Sequence, residues 1–238
     1  MLDLLKQIAK GLFYQTKSRS YSQLGEDLVL MNHLEWLGKT LNPNGFFIDI
    51  GAFHPIDGSN TYALYRLGSR GVVVDVGASK KTLFKIFRSR DHFVNAAIVP
   101  DLCEKKELTF RLSGYGKKTD CIIEDMDGGC DNSLVKVSTL KISELLSDHL
   151  QELKCASWSV LSLDIEGHDQ EVIMSIDFEA YQFNIVLFES FSGDPMKKFH
   201  DHLNSDCHKH MKSFGYALQS VCGPTFIYVR LNSVCGLE

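Results

Sequence analysis

Residues 45–55, with the sequence GFFIDIGAFHP, constrain the fold of this chain more than any other stretch. The run Phe46–Ile50 is short and apolar apart from Asp49, so it predicts a buried strand of a parallel sheet rather than a surface helix. Gly51 then lets the backbone turn sharply and come close to a ligand. Open α/β sheets bind ligands at the carboxyl ends of their strands, which predicts a nucleotide-like cofactor here; an ordinary strand and turn is the alternative.

A second apolar run, residues 71–76, contains an acid near its end, Asp75. Between the two runs lie a loop and a short helix that Ser59 or Asn60 could cap. In cofactor-binding α/β folds the acid that closes the second strand accepts the ribose hydroxyls, and the separation of Asp49 from Asp75 suits one β-α-β unit. Two such strands are a more specific signal of a cofactor site than either strand by itself.

Two later strands repeat this pattern of an apolar run followed by ionisable groups. The groups that follow these runs are Asp164, Glu166, His168 and Glu189. Since parallel strands end at one edge of a sheet, we expect these groups near the acids of the first two strands. Buried like charges raise each other's energetic cost, so this acidic edge predicts a functional or metal-binding site rather than a stabilising one.

Size and charge narrow the functions that the chain can have. Its 238 residues, 44% of them hydrophobic and 23% charged, suit one α/β domain or one domain with a small cap. The net charge of -5 argues against nucleic-acid binding as the main function. No stretch approaches the ~20 apolar residues of a stable membrane span. Residues 1–15 predict a short amphipathic helix packed on the domain, with membrane association as the minor alternative.

The cysteines indicate a reducing compartment. The chain has 7 of them, an odd number, and no C-x-x-C spacing occurs. Free thiols in the cytosol fit this pattern better than a disulfide framework, so we predict a cytoplasmic protein. Cys207 falls on the apolar stripe of a helix predicted over residues 195–214, while His200 and His208 fall elsewhere on it, so no zinc site is predicted there.

The chain divides into an N-terminal extension and a main domain. We expect residues 1–40 to form a helical extension that contributes to the active site, because the dense polar cluster at 20–27 leads into its second helix. A simple helix cap is the alternative explanation of that cluster. Residues 41–238 form the main domain. Within it, residues 113–133 are rich in Gly, Asp and Lys without periodicity and predict a variable loop that is either a functional lid or mobile.

Three further segments bear on the fold. The basic residues of 80–90 predict a helix with a solvated outer face. Residues 93–99 predict a strand whose small residues around Ala97 leave room for a flat ring such as adenine, or simply allow close packing. Residues 216–220 and 226–231 predict a final hairpin, and hence an antiparallel last strand that a nicotinamide-binding domain usually lacks.

Several segments carry a family resemblance, and they occur in order along the chain. They are residues 22–27 (SQLGED), 47–55 (FIDIGAFHP), 59–62 (SNTY), 71–75 (GVVVD), 95–98 (NAAI) and 163–169 (LDIEGHD). Together they resemble the FkbM-type S-adenosylmethionine-dependent methyltransferases. The resemblance implies an α/β, Rossmann-like seven-stranded methyltransferase fold, with a mostly parallel sheet, an antiparallel last strand and helices on both faces. It also implies methyl transfer, commonly to a hydroxyl on a sugar or related small metabolite.

The sequence departs from the family pattern at two places. Phe53 stands where many methyltransferases keep a second glycine, and Val76 and Gly77 stand where relatives often carry an Asn-Pro pair. The first glycine and the acid that would bind the ribose are both retained, so these departures bear on the pose of the cofactor.

The resemblance implies a set of cofactor-binding residues in the turns and at the strand ends. They are Gln23, Asp49, Gly51, Ala52, Ser59, Asn60, Asp75, Ala97 and Asp164. Asp75 would accept the ribose hydroxyls through strong charge-assisted hydrogen bonds, and Ala97 would border the adenine. Gly51 and Ala52 would approach the methionyl part. Gln23, Ser59 and Asn60 are candidates for the amino acid end of the cofactor or for the acceptor.

A hydroxyl acceptor benefits from a general base, and three residues are candidates for it. His168 is the first choice because its unperturbed pKa is near neutral, and Glu166 and His54 come next. An ordinary residue at the start of a helix is the alternative for His168. The group formed by Asp164, Glu166, His168 and Glu189 could instead hold a divalent cation that binds a sugar diol.

Two other functions compete with the methyltransferase. A nicotinamide-dependent oxidoreductase would carry a full G-x-G-x-x-G after the first strand, and residues 51–54 do not supply it. A non-catalytic binding module on the same fold is the other alternative, and the retained ionisable residues at 164–168 argue against it.

Overall fold

The computed structural model describes residues 2–17, 20–111, 121–122, 134–165, 167–190 and 195–231. The helices are α1 (Leu2–Lys17), α2 (Glu26–Trp36), α3 (Tyr62–Arg66), α4 (Lys80–Phe87), α5 (Ile142–Asp148), α6 (Leu150–Cys155), α7 (Asp169–Met174), α8 (Pro195–Asn204) and α9 (Asp206–Ser213). The strands are β1 (Phe46–Ile50), β2 (Arg70–Asp75), β3 (His92–Asn95), β4 (Ala97–Val99), β5 (Glu107–Arg111), β6 (Cys121–Ile122), β7 (Leu134–Lys141), β8 (Ser159–Leu163), β9 (Ile185–Glu189), β10 (Tyr216–Cys222) and β11 (Thr225–Arg230).

The main sheet of the described residues is seven-stranded, in the order β10-β11-β9-β8-β1-β2-β3. The central strand β1 lies between β2 and β8 and is parallel to both, and β3 and β9 extend the parallel region outward. β11 runs antiparallel to its neighbours β9 and β10. The predicted α/β class, the mostly parallel sheet and the antiparallel last strand are therefore confirmed.

Helices cover both faces of the main sheet, as predicted. Along β1, Phe46, Ile48 and Ile50 pack in one core with side chains of α5, α6, α7 and α9. Phe47 lies on the opposite face, in a second core with side chains of α2, α3 and α4. All residues of β1 are buried, since apolar groups on both faces are removed from water, and this explains why the strand is apolar throughout. No helix in the described part of the chain is long and apolar enough to cross a membrane.

A second sheet of order β4-β7-β5-β6 stands beside the main one. The prediction of one continuous strand over residues 93–99 was wrong, because the chain leaves the main sheet at Ala96. β3 pairs with β2, whereas β4 pairs with β7 in the second sheet. Of the predicted loop at 113–133, Cys121–Ile122 forms β6 against β5, and the rest lies outside the described residues.

The helix predicted over residues 195–214 is interrupted. Ser205 has an extended backbone (φ -70°, ψ 156°), and its side chain accepts a hydrogen bond from the His208 N–H. A serine with these features caps the start of a new helix, so α8 ends before it and α9 begins after it.

The basic helix α4 is only partly solvated, and this corrects the prediction for residues 80–90. Arg88, at its carboxyl end, is fully buried. Its Nε donates to Asp91 at 2.6 Å, and its terminal nitrogens donate to the hydroxyls of Thr61 (2.8 Å) and Ser59 (3.1 Å). Asp91 also accepts the N–H of Gly71, at 3.0 Å. Arg88 therefore ties the segment that opens α3 to the start of β2.

We expect Arg88→Met to lower the free energy of unfolding by about 3–5 kcal/mol, because it leaves the buried Asp91 carboxylate without its cation. The matched control is Lys85→Met, at an exposed lysine of the same helix, which should change it by less than about 0.5 kcal/mol. Urea denaturation followed by circular dichroism measures both. Equal losses in the two variants would contradict a structural role for the buried guanidinium.

Candidate functional site

A cavity of about 1200 Å³ opens at the carboxyl ends of the central strands. Gly51 after β1, Asp75 at the end of β2 and Asp164 after β8 line one side of it. Leu108 and Phe110 of β5 line it from the second sheet. The cavity therefore lies where open α/β sheets bind ligands.

The structure brings several of the predicted site residues together in this cavity. Those in its lining are Gln23, Gly51, Asp75, Ala97, Asp164 and His168. The predicted residues found elsewhere in the described part of the chain are Asp49, Ala52, His54, Ser59 and Asn60. Glu166 lies outside the described residues, so its predicted role as a base is not located.

A glycine is required at position 51 because the ends of two strands approach each other closely there. Its φ is +80°, and a Cβ placed there would lie 1.7 Å from the carbonyl oxygen of Asp164. The Asp164 N–H donates to the Ile50 carbonyl at 2.9 Å, and the Gly51 N–H donates to the Val74 carbonyl at 2.9 Å. The glycine thus lets the turns after β1 and β8 meet beneath the cavity, in addition to any room that it leaves for a ligand.

The carboxylate of Asp75 is held from two sides. One oxygen accepts a hydrogen bond from the N–H of Phe53 at 2.5 Å, and the other accepts one from the ammonium of Lys80 at 2.7 Å. Phe53 has a φ of +49°, an uncommon conformation for a side chain other than glycine, and it stands where the family pattern has a glycine. Phe53 makes the hydrogen bond from its backbone N–H to Asp75 in this conformation.

Sequence reasoning missed Lys80 and Phe53 as site residues, although both line the cavity. The basic pattern of residues 80–90 predicts a solvated position for Lys80, but only 19% of its side chain is exposed and it pairs with Asp75. The signal was available in the spacing, since Lys80 opens α4 five residues after the acid that ends β2. The turn at Gly77 (φ +105°) directs the helix back over the strand end.

The N-terminal segment reaches the cavity through Gln23. Asp27 is fully buried, and its carboxylate accepts the Tyr21 N–H at 2.8 Å and the hydroxyls of Ser20 (2.7 Å) and Ser22 (2.9 Å). These bonds fold the predicted polar cluster around the start of α2. The segment is also joined to the loop before α3, since the Ser59 N–H donates to the Tyr21 carbonyl at 3.0 Å.

Asp49 lies beneath the cavity, among other buried polar side chains. Its carboxylate accepts the hydroxyl of Thr61 at 2.5 Å and lies 3.8 Å from Arg88. Burial raises the pKa of Asp49, while the Arg88 charge and the Thr61 hydroxyl lower it. Nearby, Asn60 donates to the Ser162 hydroxyl at 3.1 Å. These contacts hold the loop before α3 against β1 and β8, and the predicted cofactor contacts of Asp49 and Asn60 stay predictions.

His54 occupies a buried turn rather than the cavity lining. Its Nδ1 accepts the N–H groups of Ile56 (3.2 Å) and Asp57 (2.9 Å). Burial lowers the pKa of His54 to about 4, so the imidazole is neutral near pH 7. These contacts give His54 a structural task in the turn, and its role as a base stays a prediction.

His168 lines the cavity just before α7, and its side chain is about half exposed. Its Nδ1 lies 3.6 Å from a carboxylate oxygen of Glu171, which lines the same cavity. A carboxylate beside one ring nitrogen favours the tautomer in which the other nitrogen can accept a hydrogen bond. The role of His168 as a base stays a prediction.

Asp169 braces the loop that carries Asp164 and His168. It is buried, and its carboxylate accepts the N–H groups of Gly167 at 3.2 Å, and of Ile165 and Glu189 at 3.4 Å. It thereby joins the loop after β8 to the end of β9. Burial raises the pKa of Asp169 to about 6, although these N–H groups oppose the shift.

The predicted cation site has no counterpart in the described residues. Among them, no group of three or more His, Cys, Asp or Glu side chains is placed to hold a metal ion. One member of the predicted set, Glu166, lies outside that part of the chain.

The seven-stranded sheet with its antiparallel last strand, its helices on both faces and its cavity at the strand ends define a Rossmann-like methyltransferase fold. A sequence model of the methyltransferase FkbM domain matches residues 49–218, most of the chain. The protein belongs to the FkbM methyltransferase family, as the motifs indicated. No curated protein sequence gives a significant match.

Solved structures of similar outline have very different sequences. The fibrillarin pre-rRNA processing protein of Methanococcus jannaschii has a TM-score of 0.43 and 8% identity, over 88% of this chain and 75% of its own. The cofactor-bound Rv0187 from MTB has a TM-score of 0.44 and 8% identity, over 97% and 90%. The precorrin-6y C5,15-methyltransferase from Geobacter metallireducens GS-15 has a TM-score of 0.41 and 11% identity, over 90% and 92%.

Asp169 generates a pH dependence of stability that can be measured. Its folded-state pKa of about 6 lies above the ordinary 3.8, so the folded protein holds this proton more tightly than the unfolded chain does. Stability from this group is present below about pH 4 and is lost as the pH rises through 6, by about 3 kcal/mol. We expect the unfolding free energy of the wild type, minus that of Asp169→Asn, to fall by this amount between pH 4 and pH 7.

Urea unfolding of both proteins at several pH values measures this difference. The exposed Asp177→Asn serves as the control, and its profile should run parallel to that of the wild type. Parallel profiles for Asp169→Asn and the wild type would show that the buried carboxyl titrates normally.

Proposed function

We propose that this protein is an S-adenosylmethionine-dependent O-methyltransferase that acts on a hydroxyl of a sugar or related small metabolite. The observation that carries the proposal is the Asp75 carboxylate, which is 6% exposed, stands at the carboxyl end of β2 and faces the cavity of a methyltransferase-family domain. A buried carboxylate in this position suits the ribose diol of a nucleoside. The substrate is then the molecule that fills the rest of the cavity.

The cavity residues fit the separate parts of the cofactor. Asp75 accepts the ribose hydroxyls, and the small side chain of Ala97 borders the adenine. Asp164 attracts the ammonium of the amino acid end, and Gln23 offers an amide to its carboxylate. Gly51 keeps the turn between these groups free of a side chain.

We propose that four further predicted cofactor-binding residues support the cavity lining from behind. Ala52 lies beside Gly51 in the turn and its N–H donates to the Val74 carbonyl at 3.2 Å. Asp49, Ser59 and Asn60 hold the neighbouring loop through the buried contacts described above. They would then shape the cofactor site from behind its lining.

The size of the cavity allows cofactor and acceptor to bind together. Pockets for a single small molecule measure about 300–1,000 Å³. The volume here is about 1200 Å³, which exceeds that range. Holding both molecules in line supplies much of the acceleration in such a transfer, because it removes the entropic cost of their encounter.

His168 acts as the general base in the proposed reaction. When bound, S-adenosylmethionine would supply an electrophilic methyl group, to which the acceptor oxygen would bond while the carbon–sulfur bond breaks and its electron pair returns to sulfur. The hydroxyl proton passes to Nε2 of His168, and the adjacent Glu171 carboxylate stabilises the imidazolium that forms. Of the three candidate bases, His168 is the one found in the cavity lining among the described residues.

The cysteines support a reducing compartment for the enzyme. Cys103, Cys155, Cys207 and Cys222 are free thiols. Burial raises the pKa of the Cys207 thiol to about 12, so this group stays protonated and unreactive. We therefore propose a cytoplasmic location for the protein.

Asp75→Ala should weaken binding of S-adenosylhomocysteine, the reaction product, by about 10- to 100-fold, because the ribose hydroxyls lose a charged acceptor. Isothermal titration calorimetry measures the affinity. Asp148→Ala, at an exposed acid, is the control and should bind like the wild type. If Asp75→Ala and the wild type bind equally, the ribose assignment is wrong. Wild-type binding of NADH without S-adenosylhomocysteine would support the oxidoreductase instead.

His168→Asn should lower kcat for methyl transfer by about 10²- to 10⁴-fold while the affinity for S-adenosylhomocysteine stays unchanged, because the base acts on the acceptor. Transfer of a labelled methyl group to a panel of sugars and other hydroxyl compounds measures the rate. The control is His200→Asn, at an exposed histidine of α8. Tight cofactor binding with no turnover on any acceptor would favour a non-catalytic module.

A further inference from the structure

The pair formed by Lys80 and Asp75 has a second consequence for the cavity. The Lys80 ammonium lies 2.7 Å from one Asp75 oxygen, and its side chain is 19% exposed. It lies 5.5 Å from the centre of the Phe53 ring, a cation–π distance, and Lys80 itself lines the cavity. The carboxylate and the ammonium therefore face the same space from adjacent positions.

Such a pair complements a vicinal diol better than a carboxylate does by itself. An ionised carboxylate accepts hydrogen bonds but donates none, so it can satisfy the hydroxyl protons of a diol and not its oxygen lone pairs. An ammonium donates and accepts nothing. Placed together, Asp75 accepts from a hydroxyl while Lys80 donates to the oxygen of that hydroxyl or of its neighbour.

We propose that Lys80 is a cofactor-binding residue that recognises the ribose diol jointly with Asp75. The proposal rests on the proposed function, since it concerns the ribose of the same cofactor. The Phe53 N–H holds the other oxygen of Asp75, so the carboxylate has a fixed orientation and the diol meets it from the cavity side. Lys80 then selects ribose over deoxyribose, because its contact is to a hydroxyl oxygen.

The test compares Lys80→Gln with the wild type in calorimetric titrations with S-adenosylhomocysteine and its 2′-deoxy and 3′-deoxy analogues. Lys80→Gln should weaken binding of S-adenosylhomocysteine by about tenfold or more, the usual effect of losing a hydrogen bond to a charged group. With the analogue that lacks the contacted hydroxyl, this factor should shrink at least about threefold, because part of the contact is already absent. Lys81→Gln, at the neighbouring exposed lysine, should bind all three ligands like the wild type.

Three results would overturn the assignment of Lys80. They are unchanged binding in Lys80→Gln, tighter binding in Lys80→Gln, and an equal loss for all three ligands. Tighter binding would mean that Lys80 only occupies the carboxylate and has to be displaced. If Lys80→Gln does not fold, as judged by circular dichroism, Lys80→Arg provides the comparison with the cation retained. Because a guanidinium has a different shape, a weaker preference for S-adenosylhomocysteine over the analogue that lacks the contacted hydroxyl is expected.

The same titrations separate this proposal from the proposed function. If the wild type does not bind S-adenosylhomocysteine, the methyltransferase proposal itself fails. If the wild type binds it and the lysine variants show none of the expected differences, only the role of Lys80 fails.

Discussion

The structure depends on the close packing of three parallel strand ends around Gly51. β1 is buried on both faces between β2 and β8, and hydrogen bonds link its last residue and the turn that follows to both neighbours. A glycine with positive φ is required there, since the Asp164 carbonyl fills the space that a Cβ would occupy. Because β2 and β8 flank β1 at this point, Asp75 and Asp164 border one cavity, and the candidate site follows from the packing of the sheet.

Buried polar contacts support this edge of the sheet from below. Arg88 binds Asp91 and the hydroxyls of Ser59 and Thr61, and lies near Asp49, in a region otherwise packed with aromatic rings. Removing charged groups from water is costly unless each is paired and hydrogen-bonded, and here they are joined in one network. The network holds the loop before α3 in place, so groups that resemble site residues in the sequence also serve the scaffold behind the site.

Which polar residues line the cavity and which support it from behind could be predicted only in part. Alternation along β1 places Asp49 on the face of Phe47, away from Ile48 and Ile50, and that much is a local property of a strand. Which helix covers that face, and which cation it brings, depends on residues far along the chain. Lys80 begins the short helix α4 and Arg88 directly follows its end, yet Lys80 lines the cavity and Arg88 enters the core, so no single helical stripe describes both.

The sequence by itself determined the class of fold, the acids near the ends of the parallel strands, the final hairpin and the family. These follow from local patterns, because burial on both faces demands continuous apolar runs and a turn demands glycine. Tertiary structure decided that the chain leaves the main sheet at Ala96 to build a second one, that Arg88 is buried, and that Phe53 and Lys80 donate hydrogen bonds to Asp75. These features depend on contacts between separate elements, and the free energy of such contacts cannot be predicted from the sequence pattern of either element by itself.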